Sequence, residues 1–125
     1  MAPTTTRDLT QLARSAGYQV MELVQLRANR WLMTLAAPGG EITLVMVQAR
    51  PLVGATDVQD LAEVVRLRRP AHSVLLALGG TFSVAAQQTL IELGEPRMRL
   101  CTVLPSIKSD VIDLPVLGTA LKQVR

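Results

Sequence analysis

The segment Ile42-Thr43-Leu44-Val45-Met46-Val47-Gln48-Ala49-Arg50 decides the fold. Its first six residues are nearly all apolar and rich in β-branched side chains, which pack well on a pleated surface. The run is short and is bracketed by Pro38-Gly39-Gly40 and Pro51, so it predicts a strand from Glu41 to Ala49. A strand that is apolar on both faces needs cover on both, which places it at the centre of its sheet. Side chains alternate along a strand, so Gln48 and Arg50 share one face where the apolar run ends.

Upstream, Tyr18 to about Gln25 and Trp31 to Ala36 have strand chemistry, with Ala28-Asn29 and Pro38-Gly39-Gly40 as turns, and complete an antiparallel meander. A helix precedes them: Leu9, Leu12, Ala13 and Ala16 have helical spacing, the threonines before Arg7 can cap it, and Gly17 ends it. Downstream, a loop from Pro51 to Ala55 leads to a second helix. There Thr56 and Gln59 have capping-box spacing, Val58, Leu61, Ala62 and Val65 form the buried stripe, and Pro70 sets the end. Ser73 to Leu78 predicts a buried strand ending at Gly79-Gly80. A third helix from about Ser83 carries Phe82, Ala86, Leu90 and Leu93 on one face before Gly94, and Met98 to Leu104 is the last strand. The order αβββαβαβ, with right-handed crossovers through the last two helices, predicts a three-layer α/β domain with a mixed central sheet over residues 6–104. Residues 1–5 are expected to be a flexible N-terminus. Residues 105–125 form a C-terminal extension, read as a short helix near Leu117 to Val124 or as a partner-binding tail.

The 125 residues are 49% hydrophobic and 18% charged, which supports one domain with its own core and excludes a multidomain enzyme and a disordered chain. Tyr18, Trp31 and Phe82 are the only aromatics, so the core is aliphatic and a function built on stacking against several rings is excluded. Cys101 and His72 are each the only residue of their type, which excludes an internal disulfide and a Cys/His zinc site and fits a reducing compartment. Cys101 reads as a small core residue and His72 as a surface or strand-entry residue. No apolar run reaches the length of about 18 residues needed to cross a membrane, and Met-Ala-Pro-Thr-Thr-Thr lacks a signal pattern, so a cytoplasmic protein is expected. Eleven arginines against two lysines make up the basic excess. Arginine suits bidentate contacts to phosphate or carboxylate, and a GC-rich genome produces the same bias.

The order of elements and three local signatures together resemble the restriction-endonuclease-like fold, and within it the Mrr-type branch of DNA-cleaving PD-(D/E)xK domains. Ala16-Gly17-Tyr18-Gln19-Val20 resembles the end of that family's opening helix and the valine-rich strand after it. Val47-Gln48-Ala49-Arg50 is similar to its Val-Gln-x-Lys strand end, and Gly79-Gly80-Thr81-Phe82-Ser83 with Ala86 is similar to its glycine, Phe-Thr and x-x-Ala segment. The resemblance implies a metal site in which an acidic residue on the second strand and an acidic residue or glutamine on the third hold Mg²⁺, while a lysine two residues on assists the attacking water. This sequence departs from that pattern at two places. The aspartate is expected near Trp31, yet no Asp or Glu lies between Glu22 and Glu41, and Arg50 stands at the lysine position. A guanidinium stays protonated and does not serve as a proton acceptor at neutral pH.

These departures imply a catalytically degenerate nuclease-fold domain without a cofactor, which binds DNA or acts as a subunit of a nucleic-acid-processing assembly. In the resemblance Arg50 and Gln48 lie on the floor of the cleft, with Arg27, Arg30, Arg66, Arg68 and Arg69 as candidates for its rim. The bland readings are a solvated strand end for Arg50 and complements to the helix dipole for the last three. Two alternatives stay open. One is an active Mg²⁺-dependent endonuclease of the Mrr type using Glu22, Gln48 and Arg50. The other is a protein-binding or self-associating scaffold without a nucleic-acid role, suggested by the apolar run from Val111 to Leu117, which needs cover from its own domain, a partner or a second copy.

Overall fold

The computed structural model describes residues 4–107. The apolar run from Val111 to Leu117 and the helix expected near Leu117 lie outside the described residues. In chain order the elements are α1 (Thr6–Ser15), β1 (Gln19–Arg27), β2 (Arg30–Ala36), β3 (Ile42–Gln48), β4 (Leu52–Val53), α2 (Ala55–Arg68), β5 (His72–Ala77), β6 (Thr81–Phe82), α3 (Val84–Leu93) and β7 (Met98–Cys101).

A five-stranded sheet runs β1-β2-β3-β5-β7, so β3 is central, as its apolar run demands. β1, β2 and β3 pair antiparallel; β3 with β5 and β5 with β7 pair parallel through the crossovers of α2 and α3. Alternation along the strands divides the core in two. Trp31, Met33, Leu35, Val45, Val47, Val74 and Leu76 pack under α1 with Leu9 and Ala13. Leu32, Met46, Leu75 and Ala77 pack under α2 and α3 with Val58, Leu61, Val65 and Ala86. Each fully buried aliphatic side chain contributes roughly 1.5–3 kcal/mol, so these two layers fix the register of β2, β3 and β5.

The local signals explain most element ends. The Thr5 hydroxyl accepts from the Asp8 N–H at 3.2 Å while the Asp8 carboxylate accepts from the Thr5 N–H at 2.9 Å, a reciprocal cap for α1. The Ser83 hydroxyl accepts from the Ala86 N–H at 3.0 Å and starts α3. Four details differ from the sequence reading. The last strand, expected to reach Leu104, stops at Cys101. β4 and β6 are added, a two-residue parallel ladder pairing Leu52 with Thr81 and Val53 with Phe82. α2 starts two residues earlier than Thr56 implies, with Gly54 as N-cap, and stops at Arg68. Leu93, expected inside, is exposed at the end of α3.

Candidate functional site

The carboxyl end of β3, the tip of the β1–β2 hairpin and the first turn of α2 meet around one carboxylate. Arg30 stands directly across the antiparallel ladder from Gln48, so the two side chains share the α2-facing side of the sheet. The hairpin tip is held there by the Ala49 N–H, which donates to the Asn29 carbonyl at 2.9 Å. Asp57, in the first turn of α2, points back at this edge and is buried.

Four donors converge on Asp57. Its Oδ1 accepts from the Arg30 guanidinium at 2.7 Å and from Gln48 Nε2 at 3.0 Å. Its Oδ2 accepts from the Arg50 guanidinium at 2.6 Å and from the Gly54 N–H at 3.0 Å. Arg30 also donates to Asp60 at 2.9 Å. The side chains differ in access: Asp57 is 7% exposed and Arg30 14%, whereas Arg50 is 45% exposed. A buried carboxylate is tolerable here because each oxygen has a cationic donor and a second hydrogen bond. Around the group lies an open cleft of about 730 Å³, lined also by Arg27, Leu52 and Thr56. Three guanidiniums against two carboxylates leave the cleft with one net positive charge.

The β4–β6 ladder holds the backbone of Arg50 in place. Gly79 takes a left-handed turn with φ of 76°, and Gly80 then passes so close to the preceding loop that a Cβ on it would sit 2.0 Å from the Arg50 carbonyl oxygen. The Thr81 N–H donates to the Pro51 carbonyl at 3.0 Å and the Leu78 N–H to the Gln48 carbonyl at 2.9 Å. The Gly79-Gly80 pair therefore positions the strand end that carries Arg50.

The candidate residues fall into two groups. Arg27, Arg30, Gln48 and Arg50 line the cleft together. Arg66, Arg68 and Arg69 lie at the other end of α2, where Arg66 pairs with Glu63, and Arg68 approaches Glu22 at 3.3 Å and Thr34 at 3.4 Å. Glu22 pairs across with Thr34, and Thr34 with Leu44, which puts Glu22 two strands from β3 and about 13 Å down the sheet from Gln48 at the usual rise. Glu22 and Gln48 are not brought together. Trp31, near which an aspartate was expected, is buried under α1 on the opposite face, and its indole Nε1 has no hydrogen-bond partner. The residue that faces Gln48 across the ladder is Arg30, a cation where the resemblance calls for an anion.

Asp57 itself was not singled out from the sequence. Its signal was present: an aspartate three residues after Gly54 is an N-terminal capping pattern, obscured because glycine offers no side chain and Thr56-x-x-Gln59 offered a more familiar one. The donor set does not suit Mg²⁺. Both Asp57 oxygens are taken by protein donors, two of them guanidiniums that repel a dication, and no cluster of three or more His, Cys, Asp or Glu that could hold a metal exists among the described residues. Elsewhere, burial pushes the Cys101 thiol up, away from thiolate chemistry. No helix among the described residues is long and apolar enough to cross a membrane.

No family model and no curated protein matches the sequence. Among solved structures the chain is similar to EndoMS in its apo form, with a TM-score of 0.53 at 11% sequence identity, over 84% of this chain and 48% of that one. The chain thus spans about half the length of that protein, and at this identity the likeness is one of fold. A mixed five-stranded sheet with α1 on one face and α2 and α3 on the other, in the order expected from the sequence, gives this chain a restriction-endonuclease-like fold.

Proposed function

We propose that this is a catalytically degenerate nuclease-fold domain of the Mrr type that binds the phosphate backbone of DNA without cutting it, by itself or as a subunit of a nucleic-acid-processing assembly. The observation that carries this reading is Arg50. It projects half-exposed into the cleft from the end of the central strand, oriented by Asp57 and flanked by Arg27 and Arg30. A guanidinium so placed holds a phosphate through charge-assisted hydrogen bonds and takes no proton from water. The resemblance of Val47-Gln48-Ala49-Arg50 to a catalytic strand end supports DNA as the ligand.

The test is a titration of duplex DNA against wild type and Arg50→Ala at several salt concentrations, with thermal melting to verify folding. A lost contact of roughly 1.5–3 kcal/mol weakens binding by about 10-fold to 100-fold and shallows the slope of log affinity against log salt by about one unit. Equal affinity and slope would overturn the reading. The same protein with Mg²⁺ or Mn²⁺ is expected to leave the DNA intact; cleavage that disappears in Glu22→Ala would restore the active-endonuclease alternative.

A further inference from the structure

Asp57 occupies the place that a bound anion would take. Two guanidiniums, one carboxamide and one backbone N–H point at its two oxygens from 2.6 to 3.0 Å, which is a complete set of donors for an oxyanion. The donors come from three separate pieces of chain, the start of β2, the end of β3 with the residues after it, and the turn into α2. Asp57 belongs to the first turn of α2, three residues after the Gly54 N–H that donates to its Oδ2, so the carboxylate is tethered at high local concentration. Its partners differ in what they can do on losing it. Arg30 keeps a second carboxylate, Asp60, whereas Arg50 has Asp57 as its only acidic partner among the described residues and is the more exposed.

We propose that Asp57 is an intramolecular competitor for phosphate: it holds Arg50 in the free protein, and a backbone phosphate captures Arg50 only by taking it from Asp57. This rests on the phosphate-binding reading above and adds to it the residue that sets the affinity. Asp57 lowers affinity in two ways, by engaging the guanidinium and by placing a negative charge beside the incoming phosphate. Removing its charge therefore tightens binding, the opposite of what loss of an ordinary buried ion pair does to a site.

The experiment uses the whole chain, a duplex DNA oligonucleotide and inorganic phosphate as probes, and four proteins: wild type, Asp57→Asn, Arg50→Ala and the double variant. Asp57→Asn is expected to bind DNA about 10-fold tighter, the size of one charge-assisted contact released for use, and the double variant to lose that gain. In melting experiments Asp57→Asn is expected to lose thermal stability in phosphate-free buffer and to recover part of it as inorganic phosphate is added, while wild type responds little. Asp57→Ser, which leaves a hydroxyl near Gly54 and vacates more of the seat, is expected to recover further. If a variant folds only with anion present, phosphate-dependent refolding yield replaces melting as the readout and supports the proposal. Unchanged or weaker DNA binding by folded Asp57→Asn, or equal phosphate response in wild type and variant, overturns it. Should Arg50→Ala weaken binding while Asp57→Asn fails to strengthen it, the phosphate-binding reading stands and the competitor falls. If neither substitution changes binding, both fall.

Discussion

The two ends of α2 carry similar charges and use them differently. At its N-terminal end Arg30 and Arg50, which come from other elements, converge on one buried carboxylate within a shared cleft. At its C-terminal end Arg66, Arg68 and Arg69 are exposed, Arg66 pairs with Glu63 one turn back on the same helix, and Arg68 makes long contacts to Glu22 on β1 and Thr34 on β2. The first end is built from long-range contacts that only the finished fold supplies. The second is mostly what an arginine-rich helix terminus does unaided, complementing the helix dipole and forming a local pair, with the two long, exposed contacts of Arg68 as its only reach to other elements among the described residues. Charge count does not distinguish a site from a solvated surface; convergence on a buried partner does.

The sharpest way to break the cleft end is through the backbone behind it. Gly80→Ala puts a methyl 2.0 Å from the Arg50 carbonyl oxygen, against the main chain of Arg50 and Pro51, which cannot rotate away as a side chain can. The β4–β6 ladder must open, and the expected loss is about 3 kcal/mol or more, at or beyond the upper end of overpacking costs. Chemical denaturation measures it; a loss under about 1 kcal/mol would show that the ladder does not hold Arg50 in place.

Matched truncations of the two carboxylates compare the ends directly. Asp57→Ala strands Arg50 and deprives Arg30 of one of its two partners; because Arg50 reaches solvent and Arg30 keeps Asp60, the expected cost is about 2–3 kcal/mol, below that of a fully buried pair. Glu22→Ala removes a long, exposed contact and is expected to change stability by less than about 0.5 kcal/mol. Comparable losses in denaturant midpoints for the two variants would erase the distinction.

How much of this was legible in the sequence follows from the range of the interactions. β3, its central position, the helices and their order come from periodicity and turn residues, which act over a few positions, and these were read within one or two residues at most ends. The convergence on Asp57 was hidden because Asp57 lies nine positions from Gln48 and 27 from Arg30 along the chain. Arg30, a candidate for the cleft rim, does line the cleft, whereas the position at which the resemblance places an aspartate, Trp31, is sent under α1 by alternation, which leaves Arg30 opposite Gln48. The two strands β4 and β6 are too short to show any period, so the ladder that secures Arg50 left only its glycines as a trace.

At the far end of α2, Arg69 is the one non-glycine residue with positive φ among the described residues, at 50° in the left-handed region just past the helix. Glycine meets no penalty there, so Arg69→Gly is expected to raise stability by about 1 kcal/mol, with DNA affinity nearly unchanged if this end is only a capped helix terminus. A gain in stability accompanied by a clear loss in DNA binding would make the terminus part of the interface and narrow the contrast between the two ends.

The smallest effect concerns the pair beside that terminus. Glu95 accepts from the Arg97 guanidinium at 2.8 and 2.9 Å and from the Arg97 backbone N–H at 3.1 Å, along the wall of a second cavity of about 610 Å³ between α2 and α3. These hydrogen bonds, the guanidinium first, hold the Glu95 carboxyl down to about 2 from its ordinary 4.5. A carboxyl whose pKa is lower in the folded state stabilises the fold fully above its unfolded value and loses that contribution as the pH falls through its folded one. Thermal melting of wild type and Glu95→Gln should therefore differ by a small, constant amount above pH 4.5, converge as the pH drops through about 2, and coincide only below it. Added salt of about 1 M should shrink the difference at neutral pH, because the pair is open to solvent. A difference that persists undiminished at pH 2, or that salt leaves untouched, would mean that Glu95 acts through packing, and this end of α2 would then resemble the buried end more than its exposure suggests.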